Sequence, residues 1–134
     1  MKIKRPEAKQ GKTIATPSTG ADSGREPPSF CFKHCVREYS VESCTTEEKS
    51  ALADTLWQLS QRTWNELHSA HRHGSGCEKI DRTAIRVGIP RAVTEDANIW
   101  AFRFYGKAPM LGYRDGRMFH IVWLDRAFKV YDHG

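Results

Sequence analysis

The sequence predicts an α+β domain: a small curved antiparallel sheet, made of a first strand and a later three-stranded meander, packed on an N-terminal helix or helical hairpin. Three observations predict it. Residues 44–73 place apolar side chains at helical spacing behind a capping signal. Residues 99–124 alternate aromatic and polar residues and are broken by turn signals. A shorter alternating stretch precedes both. One strand, then helix, then a run of strands segregates the helices to one face of the sheet.

The chain has 134 residues, enough for one domain with an extension. Residues 1–27 hold six Lys/Arg against three Asp/Glu, with no large apolar residue after Ile14. Such a segment cannot bury enough surface to offset its ordering entropy, so it is read as a disordered basic tail ahead of a domain at 28–134. Its start, MKIKRPEAKQGK, has no apolar core behind its basic residues and does not read as a secretory signal. No apolar run approaches the ~18–20 residues that span a bilayer. The expectation is therefore a cytoplasmic protein without membrane contact, its four cysteines reduced. Cys31 and Cys35 lack the tight pairing of structural zinc ligands, so no metal and no cofactor is expected.

Element by element, SFCFKHCVREY alternates loosely and reads as a strand after Pro27 and Pro28. Thr45-x-x-Glu48 fits a capping box. Behind it Leu52, Leu56, Leu59, Thr63 and Leu67 form a helical stripe with Trp57 and Trp64 beside it, read as core, and Ser60 is a possible break. HRHGSGCEK reads as a helix end running into a turn with Gly74 as cap. Residues 74–97 are loop-rich, with a short strand around Ala84–Val87. Then IWAFRFYG, MLGYR and MFHIVWL read as strands, joined by KAPM as a turn and by the Asp-Gly hairpin of DGR. Trp100, Phe102, Phe104, Phe119, Ile121 and Trp123 are expected on the helix side. The other face is left to Arg103, Tyr105 and His120, open to solvent.

The carriers AFRFYG, MLGYR, MFHIVWLD and FKVYDH, in this order, resemble the late strands of the RelE/ParE superfamily of small bacterial toxins. The resemblance covers about residues 30–134. It implies a curved sheet over two N-terminal helices, cleavage of messenger RNA on the ribosome, and neutralisation by a cognate antitoxin; some members inhibit DNA gyrase instead. Arg103 matches the arginine-bearing strand and Tyr131 the C-terminal catalytic or stacking tyrosine. Asp125 and Arg126 stand where many members have a His-Arg pair, and Met110 where members often carry arginine.

RNA cleavage without a metal uses the 2′-hydroxyl as nucleophile. A group must accept its proton, another must offset charge on the phosphorane, and a third must protonate the leaving oxygen. The candidate catalytic residues are Arg103, Tyr131, His133 and His120. The candidate RNA contacts are Lys107, Tyr113, Arg114, Arg126 and Lys129, in a region with six Lys/Arg against three Asp/Glu over 101–134. The expected partners are messenger RNA, the ribosome and an antitoxin. The alternative is a non-catalytic RNA- or protein-binding module on the same fold.

Overall fold

A computed structural model describes residues 23–70 and 76–132. Residues 1–22, the histidines and Gly74 of 71–75, and His133 lie outside the described residues.

Two capping boxes shape the helical half. Helix α1 (Thr46–Leu59) opens on Thr45, whose hydroxyl accepts the Glu48 N–H at 3.1 Å while the Glu48 carboxylate accepts the Thr45 N–H at 2.8 Å. It stops at Ser60. Helix α2 (Trp64–Ser69) opens on Thr63, which closes the same reciprocal pair with Glu66 at 3.2 and 2.9 Å. The tract is thus two helices, and Thr63 is a cap rather than a member of one continuous stripe. The break also separates the tryptophans. Trp64 is fully buried and its indole donates to the Arg117 carbonyl at 3.0 Å, whereas Trp57 is 65% exposed. Trp57 is therefore not core.

The sheet is open and mixed. Its strands are β1 (Ser29–Cys31), β2 (Glu78–Ile80), β3 (Ile99–Tyr105), β4 (Ala108–Asp115) and β5 (Met118–Leu124), in the order β1-β5-β4-β3-β2. The meander β3–β4–β5 is antiparallel as expected, but β1 runs parallel to β5, with Phe30 opposite Phe119. The connection from β1 to β5 carries α1, α2 and the strands β2, β3 and β4, which is more than a parallel pair requires. Ala108–Met110 belong to β4 rather than to a turn, and the β3–β4 turn is Gly106-Lys107, with Gly106 at φ 58°. Gly116, at φ 63°, opens the two-residue β4–β5 loop, a place where glycine is favoured. The strand in the loop-rich stretch is β2, not 84–87. There the chain makes a 3-10 turn at Arg82–Ala84 and a single bridge between Ile85 and Tyr131.

Both faces of the sheet are covered, which corrects the expectation of one open face. On the helix side Trp64, Leu67, Phe102, Phe104, Met110, Phe119 and Ile121 form one core. On the other side Ile99, Ala101, Leu111, Val122, Trp123 and Val130 form a second, closed over by Ile85, Val87, Ile89 and Val93 from the 81–98 loop. Trp123 changes face because of a β-bulge. Leu111 pairs with Trp123 but Gly112 pairs with Ile121, so Val122 is the extra residue and Val122 and Trp123 point the same way. The swing leaves Trp123 Nε1 buried without a hydrogen-bond partner among the described residues, a cost of roughly 1–3 kcal/mol. Burial of the ring offsets it, since full burial of a large apolar side chain contributes roughly 2–3 kcal/mol.

Residues 23–27, assigned above to the tail, lie against α2. The Trp64 N–H donates to the Glu26 carbonyl and the Asn65 N–H to the Gly24 carbonyl, at 3.0 and 2.9 Å. These bonds satisfy N–H groups that a helix start leaves unpaired.

Candidate functional site

The cover of the second face opens at the end of β3. Arg103 pairs across the ladder with Pro109, whose carbonyl accepts the Asp125 N–H at 2.9 Å. This row of three strand ends delivers the turn after β5 to the side of Arg103. Asp125 is fully buried. Its carboxylate accepts the N–H of Lys129 at 2.7 Å and of Val130 at 3.0 Å, and its carbonyl accepts the Phe128 N–H at 3.3 Å. The closed turn sends Tyr131 back along the sheet to bridge Ile85. Asp125 is thus the builder of the turn, where a histidine in its place would leave those two N–H groups without their acceptor.

The result is a cleft of about 500 Å3 whose lining includes Arg103, Lys107, Phe128 and Tyr131. Arg103 is exposed, and no ion pair holds its guanidinium among the described residues. It also borders a smaller cavity of about 300 Å3 toward α1. Tyr131 is half-buried, and burial pushes its phenol pKa up. Glu78 and Asp125 add to the rise, and Arg103 opposes it. The phenol therefore stays protonated at neutral pH and can donate a hydrogen bond or a proton.

The cleft is not a purely basic surface. Glu78, Asp81 and Asp132 line it together with Lys79. Asp132 pairs with Arg86 at 3.1 Å. Glu78 belongs to β2, which sequence patterning missed because EKI is three residues long with two exposed.

The remaining expected site residues lie elsewhere. His120 pairs with Tyr113 across β5 and β4, four residues along the ladder from Pro109, or about 13 Å. The two rings stack at 4.7 Å and 18°, and His34 packs on His120 at 5.4 Å. Burial lowers the His120 pKa, the neighbouring His34 lowers it further, and Asp115 opposes. Its Nδ1 is buried without a partner among the described residues. This is a packed aromatic cluster, separate from the cleft.

Arg114 is on the helix side. It lies over the Trp64 ring at 4.4 Å and donates to the Gly116 carbonyl and the Ser23 hydroxyl, both at 2.7 Å. It also meets His68 Nε2 at 3.3 Å. Arginine can only donate, so Nε2 accepts and the proton sits on Nδ1, facing the Cys77 sulfur at 3.1 Å. Arg114 thus ties β4, α2 and residue 23 together. Arg126 is paired to Glu48 at 2.6 Å. Lys129 is exposed on the turn beyond Asp125. Met110 is fully buried in the helix-side core, where an arginine would not fit.

Among the described residues no group of three or more His, Cys, Asp or Glu side chains is gathered as a metal site would need. Cys31 and Cys35 are half-buried free thiols and Cys44 and Cys77 are buried. Burial pushes the Cys77 thiol up to about 11, opposed by its own backbone N–H and by Arg114. No described helix is long and apolar enough to cross a membrane. No protein-family model, curated protein or solved structure matches this chain.

Proposed function

We propose that the cleft between β3 and the Asp125 turn binds the phosphodiester backbone of RNA, and that the protein is a RelE-like endoribonuclease toxin acting on messenger RNA at the ribosome and held in check by an antitoxin. One observation carries this reading. Arg103 and Tyr131, the two positions that match the superfamily's functional residues, line the same cleft, with the guanidinium exposed and the phenol protonated.

The chemistry can be assigned within the cleft. The 2′-hydroxyl attacks the adjacent phosphorus. In this reading the Glu78 carboxylate, which lines the same cleft and raises the Tyr131 pKa, takes the hydroxyl proton. The Arg103 fork and the Lys107 ammonium offset the charge that grows on the phosphorane. The Tyr131 phenol gives its proton to the departing 5′-oxygen. Arg114 and Arg126 take no part, since both are engaged within the fold.

A second reading, RNA binding without cleavage, is favoured by Asp125, whose carboxylate is committed to the turn where the superfamily pattern has a histidine. Inducible expression followed by mapping of RNA 5′ ends separates the two. Growth arrest with new ends inside translated frames, lost in folded Arg103→Ala and Tyr131→Phe, supports the nuclease. Intact RNA with salt-dependent binding selects the second reading. Arrest that persists in both variants excludes the cleft as the cause.

A further inference from the structure

We propose that the smaller cavity beside α1 takes a nucleobase, with the Gln58 carboxamide on its edge, so that the phosphodiester held by Arg103 carries one nucleoside in each cavity. The inference rests on the reading of the cleft as a phosphodiester site. It adds the part of a single RNA strand that lies beyond the phosphate.

The two cavities meet at one place, since Arg103 and Gly76 line both. The end of β3 explains why. The pairing of β2 with β3 runs from Ile80–Ile99 to Glu78–Ala101 and stops there, short of Arg103. On the other side the ladder with β4 shifts register between Arg103 and Tyr105, so Phe104 is the extra residue of a bulge. Its carbonyl accepts the Thr55 hydroxyl of α1 at 3.2 Å. A bulged strand bends, and this one is tied to the helix at its bend. Arg103 stands at that bend, and its exposed side chain borders the cleft on the second face and the cavity on the helix side.

The smaller cavity differs from the cleft in kind. Leu59 and Phe102, both buried, give it an apolar floor. Among the described residues its lining holds no carboxylate, whereas Glu78, Asp81 and Asp132 line the cleft. Gln58 is exposed at its rim. A carboxamide sets a donor beside an acceptor, the pattern that pairs with the edge of a base. An apolar floor with a few placed polar groups is the usual make-up of a ligand pocket, and about 300 Å3 lies within the range of such pockets. A cation between two such spaces suits a phosphodiester whose flanking nucleotides are unstacked, as in single-stranded RNA.

The test is an NMR titration of the isotope-labelled full chain with four dinucleotide probes. All are 2′-O-methylated, which blocks cleavage through the 2′ oxygen. One carries both bases, two lack one base each, and one is the bare backbone. Affinity should fall with each base removed. Gln58→Leu should weaken the two-base probe about tenfold, and with it one single-base probe, the one whose base enters the smaller cavity. The other single-base probe and the bare backbone should bind as before. Gln58 is exposed on α1, so the Leu variant should melt with the wild type, which separates a lost base contact from lost folding. Arg103→Ala should weaken all four probes. Unchanged binding of every probe by Gln58→Leu, or equal weakening of both single-base probes, overturns the base pocket, while Arg103-dependent binding of the bare backbone preserves the cleft reading. Absence of binding to any probe overturns both.

Discussion

The Glu48 carboxylate sits 2.6 Å from the Arg126 guanidinium and caps its own helix in the same position. One buried acid thereby joins the start of α1 to the end of β5, and this fixes how the protein responds to acid. Hydrogen bonds from Arg126 and Thr45 hold the Glu48 pKa below its ordinary value. A lowered carboxyl contributes stability that is complete above the unfolded value, about 4.3, and is lost as pH falls through the folded one. His120 adds an earlier stage. Its folded pKa lies below the unfolded value of about 6.5, so the fold favours the neutral ring and stability declines as pH drops below that value. Urea titrations across pH should show two stages. His120→Phe should remove the upper one. Glu48→Gln should cost about 1–2 kcal/mol at neutral pH and flatten the lower one. A profile flat from neutrality to pH 5 in the wild type would contradict the placement of His120.

Arg103 opposes the rise in the Tyr131 pKa. Arg103→Ala should therefore push the phenol pKa further up, read by absorbance or NMR at alkaline pH with Tyr131→Phe as the assignment control. The fold should be unaffected, because Arg103 is exposed. An unchanged Tyr131 titration would show that the two side chains do not share a cleft in solution.

Asp125 is expected to be a stability residue. Asp125→Ala removes the acceptor of two backbone N–H groups, one of them on fully buried Val130. The loss should be about 3 kcal/mol by urea denaturation. Asp125→His, which introduces the residue of the pattern the sequence resembles, should destabilise comparably and yield no gain in the proposed RNA cleavage. A stable, more active histidine variant would reverse the assignment of Asp125 to the turn.

Much of this arrangement was legible where local chemistry decides it. Thr45-x-x-Glu48 marked α1 because capping needs only neighbours in the chain, and the β3–β4–β5 meander was written in its alternation and glycines. Thr63-x-x-Glu66 carried the same signal for α2, but counting Thr63 into the stripe hid it and placed Trp57 in the core. The parallel partner of β1 was not legible, since three residues cannot report which later strand they will pair with. The second core was half-legible: MFHIVWL is apolar on both sides, as a central strand covered on both faces must be. Arg103 and Tyr131 could be placed by position in the chain. Phe128 could not, because its left-handed backbone follows from the closure made by Asp125.

The bulge was the feature most open to reading, through Gly112, a lone glycine inside a strand pattern. A Cβ built on Gly112 would lie 1.9 Å from the His120 carbonyl oxygen and 2.9 Å from its carbon. Both are backbone atoms of the paired strand, so no side chain can turn aside to make room. Gly112→Ala must instead break the ladder where Leu111 pairs with Trp123 and Gly112 with Ile121. That opens the helix-side core at Ile121 and the second core at Trp123 together. The expected loss is about 3 kcal/mol or more, measured by urea denaturation, with the Tyr113–His120 stack disrupted in the NMR spectrum. Wild-type stability in Gly112→Ala would mean that the register shift lies elsewhere in β4, and with it the reason that Trp123 faces away from the helices.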